Sequence, residues 1–256
     1  MSTLKQNIFL SLASVETMLR TLTAKRLLVL NESYKSSPKV SIIIVVYNSL
    51  PYVKMCIESL QMTKYSNFEI IVVDNASERQ TRTYLDRLVS EKKIQKVYHQ
   101  KENKYFSGAN NIGAHYAASD SSFVLLLNSD TQIKDRYWLS DLIAAAPQTG
   151  VISYGNANLP FRPDGWCFLI TKKLFEQLGG INEIYKMNWG ITDLTKRALH
   201  LGAVVKVVLD TERYIHHFGG KSYTTTTKNV QNEPHVGVAS FLFDMNWLRV
   251  RALNFR

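Results

Sequence analysis

Long hydrophobic runs are missing from this chain of 256 residues. The longest pure apolar stretches, such as Phe123 to Leu127, hold a handful of residues, far below the roughly 20 that a membrane-spanning helix needs. The N-terminus carries no signal-peptide cleavage pattern, so cytoplasmic residence is expected. Cysteine is scarce, and Cys56 and Cys167 lie too far apart for a local metal motif. Both sit in apolar surroundings that suit small buried hydrophobes. Internal repeats and low-complexity linkers are absent as well. Glycine is missing where a dinucleotide fold would require it: the first apolar run leads into "YNSLPY", without the Gly-rich turn that lets a pyrophosphate approach a helix N-terminus. A dehydrogenase is thereby excluded.

Acidic residues are also in short supply, 21 against 31 Lys and Arg, for a net charge of +10. That excess predicts attraction to an anionic partner without naming it. No nucleic-acid-binding module is recognisable, and charge alone does not make one. Basic residues gather at the ends. Lys5, Arg20, Lys25 and Arg26 flank leucines in residues 1–37, and Arg249, Arg251 and Arg256 alternate with Trp247, Leu248, Val250 and Leu253 in residues 229–256. Both termini read as basic amphipathic helices that either lie on an anionic membrane surface or pack on protein, as in a homo-oligomer.

The middle of the chain has 45% hydrophobic content across the whole sequence behind it, ample for a core. Strand-like runs at Val40–Val46, Phe68–Val73, Ile94–Tyr98, Phe123–Leu127 and Val204–Leu209 alternate with helical periodicity at Tyr52–Gln61, Thr81–Val89, Ala109–Ala118 and Trp138–Ala145. This rhythm predicts an α/β fold with parallel pairing and helices on both sheet faces. Ligands of such sheets gather outside the carboxyl ends of the strands. There the sequence places "VVYN", "VDNAS" and "LLLNSD", so that Asp74 and Asp130 reach one rim. Between them, "NKYFSGANNIG" (Asn103 to Gly113) opens a helix whose first amides are expected to face phosphate or sugar oxygens.

In order and spacing, "SIIIVVYN", "IIVVDNAS", the Asn/Gly-rich loop and "LLLNSD" resemble the family 2 glycosyltransferases of the GT-A fold, over roughly residues 39 to 222. The resemblance implies a Rossmann-like, mostly parallel sheet in a domain spanning 38–228, with a nucleotide-sugar half (38–131) and an acceptor half (132–228). It implies an inverting enzyme that moves a sugar from a UDP- or dTDP-linked donor to a hydroxyl of a glycan or lipid-linked acceptor, in cell-surface polysaccharide synthesis at the inner face of the plasma membrane. Asp130 resembles the last acid of the family's D-x-D motif, which contacts Mg²⁺ or Mn²⁺; Asn128 replaces the first. Hard cations of this kind need few protein carboxylates when phosphates complete the shell. Val46, Tyr47, Asp74, Asn103, Gly108, Asn111, Asn128 and Ser129 are the implied nucleotide-sugar contacts. "YIHHFGGKS" resembles a segment in which a histidine is a further metal ligand, His217 in preference to His216. Tyr105 stands where many relatives have glycine.

The acceptor half departs from the pattern. "NWGITDLTKRALHLG" matches the family's acidic helix start at Asp193, Leu194, Arg197 and Gly202, but Gly190, Ile191 and Thr192 stand where relatives place carboxylates. Asp193 is therefore the candidate base and Glu183 the reserve, since transfer to a hydroxyl needs a proton acceptor. The missing acids leave a second expectation, a nucleotide-sugar-binding scaffold with weakened catalysis.

Overall fold

The computed structural model describes residues 37–155, 163–187, 189–208 and 212–220, together with the backbone of 250–253. Pro38–Phe255 form one compact unit; the other, Met1–Ser37 with Arg256, lies almost wholly outside the described residues. The expected N-terminal helix, Lys221 and most of the C-terminal segment fall outside them too.

Ten strands and six helices follow in chain order among the described residues: β1 (Val40–Val46), α1 (Leu50–Leu60), β2 (Phe68–Asp74), α2 (Arg79–Ser90), β3 (Lys96–His99), α3 (Tyr105–His115), β4 (Phe123–Asn128), β5 (Thr131–Ile133), α4 (Trp138–Ala145), β6 (Gly150–Gly155), β7 (Pro163–Thr171), α5 (Lys172–Gln177), α6 (Gly190–His200), β8 (Val204–Val208), β9 (Ile215–His217) and β10 (Val250–Leu253). Eight strands form one sheet in the order β10-β8-β6-β7-β4-β1-β2-β3, and β5 pairs with β9 in a small second sheet.

Alternation explains why both faces are covered. Along β1, Val40, Ile42, Ile44 and Val46 enter one apolar cluster and Ile43 the other; along β4, Phe123, Leu125 and Leu127 oppose Val124 and Leu126. A strand buried on both faces must be apolar at every position, which is why these segments read as continuous runs. The first cluster draws on α1, α2 and α4, the second on α3, α5 and α6.

The expected mostly parallel sheet is present: within the eight-stranded sheet only β7 runs antiparallel, to both β4 and β6, and β5 and β9 pair antiparallel in the small sheet. Two expectations are corrected. The helix expected from Ala109 begins at Tyr105, so Gly108 lies in its first turn rather than in a loop. Val250–Leu253, expected within a basic C-terminal helix, form a strand paired parallel with β8; their β-branched and apolar residues fit a sheet edge as well as an amphipathic stripe. Among the described residues, no helix is long and apolar enough to cross a membrane.

Candidate functional site

The carboxyl ends of β1, β2 and β4, the start of β7 and the start of α6 enclose a cleft of about 230 Å³. Tyr47, Asn103, Asn128, Ser129 and Asp130, all expected contacts, line it. The small β5–β9 sheet makes the acidic end. Thr131 pairs with His217, the Phe218 N–H donates to the Asp130 carbonyl at 3.0 Å, and His217 Nε2 comes to 3.2 Å from Asp130 Oδ1. Asn128 Nδ2 lies 3.3 Å from the same ring nitrogen. Below this turn, the Thr131 hydroxyl donates to the Asn128 carbonyl at 2.8 Å, and Cys56 Sγ lies 3.4 Å from that hydroxyl. Burial pushes the Cys56 thiol up to about 12, so it acts as packing and not as a nucleophile or ligand. Asp130 is 4% exposed. Trp166 on β7 stacks on the His217 ring at 5.0 Å and an interplanar angle of 8°, holding the imidazole's orientation. Of the two adjacent histidines, His217 reaches Asp130 in this register, whereas His216 Nδ1 turns to Glu212 at 3.0 Å.

Several expected contacts lie outside the cleft and support its walls. Val46 is fully buried in the core, and its carbonyl accepts the Asn75 N–H at 2.8 Å; its neighbour Val45 reaches the cleft. Asp74 is also fully buried, with Oδ1 accepting the Ser77 N–H at 3.0 Å and Oδ2 2.7 Å from His99 Nδ1. Asn111 anchors the chain before α6: its amide donates to the Ile181 carbonyl at 2.8 Å and to Glu183 Oε1 at 3.0 Å, and accepts the Ile181 N–H at 2.9 Å. Gly108 admits Glu183 against α3, where an added Cβ would lie 3.4 Å from Glu183 Oε2. The first amides of α3, expected to face a ligand, are spent inside the protein, since Phe106 and Ser107 N–H both donate to the Lys186 carbonyl. An amide already satisfied has no donor left for phosphate.

Asn75, not expected from sequence, organises this wall. Its side chain donates to Asn103 Oδ1 at 2.6 Å and to the Tyr105 carbonyl at 3.1 Å, and accepts the Lys104 N–H at 2.6 Å. Tyr105 is thereby held at φ +58°, a left-handed conformation that costs a side-chain-bearing residue about 1 kcal/mol. Tyr105 lines the cleft. Tyr105→Gly is expected to relieve this strain, widen the cleft and change donor preference, read as the ratio of kcat/KM for two nucleotide sugars; an unchanged ratio would remove Tyr105 from specificity.

Behind the cleft, His99 bridges two carboxylates, with Nε2 2.9 Å from Asp86 Oδ1. Burial pulls the His99 pKa down, but hydrogen bonds and charge from Asp74 and Asp86 outweigh it, for a net rise above the usual 6.5. A neutral ring has a single N–H, whereas the imidazolium donates to both carboxylates. This contribution to stability is therefore complete below about pH 6.5 and is lost as pH rises through the raised folded-state value. Melting temperatures should fall more steeply as pH rises above about 6.5 in the wild type than in His99→Gln. Equal slopes would refute the coupling.

The match to known proteins rests on the same segments. The profile of Glycosyl transferase family 2 matches residues 41–195, from β1 into α6. The chain belongs to this family. The uncharacterized protein y4gI of Sinorhizobium fredii is 35% identical over 133 residues, 51% of this chain and 14% of that protein. The O-antigen biosynthesis protein RfbC of Myxococcus xanthus is 24% identical over 228 residues, 72% of this chain and 18% of its own length. The chain thus spans less than a fifth of either relative. Among solved structures, S. aureus TarS (residues 1–349) in complex with UDP-GlcNAc superposes with TM-score 0.55 at 18% identity, covering 69% of this chain and 57% of that one. The mannosyltransferase PcManGT of Pyrobaculum calidifontis, in complex with GDP-Man and Mn²⁺, gives TM-score 0.52 at 19% identity, covering 58% and 49%. These likenesses establish the shared GT-A fold.

In this family 2 chain the α6 start presents Trp189, Gly190, Ile191 and Thr192 to the cleft, while Asp193 is not among the lining residues. Asp193 Oδ2 instead accepts Arg197 Nε at 2.8 Å, and Arg197 donates onward to the Leu178 and Gly180 carbonyls. Asp193 lies one turn from Arg197, and their i,i+4 pairing competes with any role at the cleft. Asp164, at the start of β7, is a cleft carboxylate that sequence reasoning missed.

Proposed function

We propose that this chain is a metal-dependent inverting glycosyltransferase that moves a sugar from a UDP- or dTDP-linked donor to a hydroxyl of a glycan or lipid-linked acceptor. The nucleotide half is 38–131 and the acceptor half 132–228. The observation that carries the reading is the pairing of His217 with Asp130, which lines a cleft formed by the strand ends of a family 2 fold.

The donor set fits a hard divalent cation held jointly with a diphosphate. Among the described residues no group of three or more His, Cys, Asp or Glu converges. One carboxylate and one imidazole lie 3.2 Å apart there, close enough that both could hold a single hard cation. Mg²⁺ or Mn²⁺ held by Asp130 and His217 would neutralise charge on the departing nucleoside diphosphate. With so few protein ligands, cation and nucleotide should each strengthen the other's binding. Asn75 and Asn103 fix the nucleotide-side wall, and Trp189 lines the cleft where the sugar would lie. The net charge of +10 supports association with an anionic membrane surface at the cytoplasmic face, to be read by flotation with anionic and neutral vesicles.

The decisive experiment is nucleotide release from UDP- and dTDP-sugars, with GDP-mannose alongside, in Mn²⁺ and in EDTA. Metal-dependent release supports the reading; absence of both nucleotide binding and release under every condition would sink it. The non-acidic residues at 190–192 favour one alternative, a nucleotide-sugar-binding scaffold, which predicts binding without transfer.

A further inference from the structure

Transfer to a hydroxyl needs a proton acceptor beside the sugar, and the helix start where relatives carry acids gives this cleft Gly190, Ile191 and Thr192. Asp193, the remaining acid there, is engaged by Arg197. The neighbouring strand supplies what the helix does not. A Cβ added to Gly165 would meet Ile191 Cγ1 at 2.9 Å, so the start of β7 packs directly on residue 191. The residue before Gly165 on that strand is Asp164, and it lines the cleft.

Its position is well determined. The Asp164 N–H donates to the Ser153 hydroxyl at 3.0 Å, the Asp164 carbonyl lies 2.9 Å from the same hydroxyl, and Asp164 Oδ1 accepts the Gly165 N–H at 2.7 Å. Ser153 is fully buried, so the anchor is rigid. Asp164 and Trp166 share one face of β7, two residues and about 6.6 Å apart along the strand. Trp166 stacks on His217, which marks the metal end. Asp164 therefore lines the same cleft as Asp130, two residues along β7 from the tryptophan that stacks on His217.

We infer that Asp164 is the catalytic base, a carboxylate supplied from β7 in place of the acids missing from the helix start; this rests on the transferase reading above. In the step it serves, the acceptor O–H gives its proton to the Asp164 carboxylate. The acceptor oxygen forms a bond to the anomeric carbon, and the bond from that carbon to the diphosphate breaks, its electron pair leaving with the nucleoside diphosphate. No covalent sugar–enzyme species is needed, and the configuration inverts.

The test is nucleotide release from UDP-glucose, UDP-galactose, UDP-N-acetylglucosamine and dTDP-rhamnose, with water standing in for the acceptor, in wild type, Asp164→Asn, Asp164→Ala and Asp193→Asn. Melting temperature and UDP affinity in Mn²⁺ serve as checks of fold and donor site. Loss of a general base is expected to lower kcat by at least about 100-fold, with UDP affinity within about twofold. Asp164→Ala leaves the backbone bonds to Ser153 in place, so it keeps the test open if the asparagine variant does not fold. Retention of kcat within threefold in either folded Asp164 variant would overturn the assignment, as would a collapse confined to Asp193→Asn. A wild type that releases no nucleotide from any donor would refute the transferase reading beneath it, a result distinct from active Asp164 variants.

Discussion

Asp130→Ala is expected to weaken UDP binding in Mn²⁺ by about 100-fold, measured by calorimetry, and to leave binding in EDTA within about twofold. The reason is the composition of the acidic end. Asp130 is the carboxylate closest to His217, and the imidazole alone is a poor site for a hard cation. On the proposed reading its removal would take away the anionic ligand that would hold a cation between protein and diphosphate. The backbone would survive, because the Asp130 carbonyl still accepts the Phe218 N–H and the Thr131 hydroxyl still closes the turn. His217→Ala should weaken the same binding less, since an uncharged ligand is lost. Equal affinity of wild type and Asp130→Ala in Mn²⁺ would show that the metal is not held at this turn.

Gly113→Ala carries the largest expected effect on stability. An added Cβ would lie 2.2 Å from Ile43 Cγ2 and 3.2 Å from Val73 Cγ2, where α3 crosses β1 and β2. Ile43 and Val73 are fully buried, so neither side chain can swing into solvent. Overpacking of this kind costs about 3 kcal/mol, which for a domain of this size lowers the melting temperature by roughly 6 to 12 °C. Gly179→Ala is the control: it has φ +70° but no neighbour within 4 Å, and conformational strain alone should cost about 1 kcal/mol. A Gly113→Ala protein as stable as the control would mean that α3 shifts freely on the sheet.

The same glycine shows where the sequence was legible and where it misled. Gly113 belongs to an Asn/Gly-rich segment that reads as a ligand loop, yet the segment is helix α3, its glycine answers to packing, and its first amides serve Lys186. Composition cannot distinguish backbone that approaches a ligand from backbone that approaches a strand, since both demand a missing side chain. Asp74 carries a similar ambiguity. A strand-end carboxylate on the ligand rim can point outward or back, and here His99, Arg82 and the Ser77 amide draw it inward.

Local pattern by itself determined the doubly covered sheet, because strands buried on both faces must be apolar throughout, and Val40–Val46, Phe68–Val73 and Phe123–Leu127 are. It also determined the family, through ordered motifs at the strand ends, and with it Tyr47, Asn103, Asn128, Ser129 and Asp130 as cleft residues. Tertiary structure alone decided the rest. Strands β5 and β9 are three residues each, too short to leave a periodic signal, yet their pairing brings His217 to Asp130 across 87 positions of chain. The reversed strand β7 brings Asp164 to the cleft and Trp166 to His217. These contacts depend on strand direction and register between distant segments, and neither is encoded in the periodicity of any one of them.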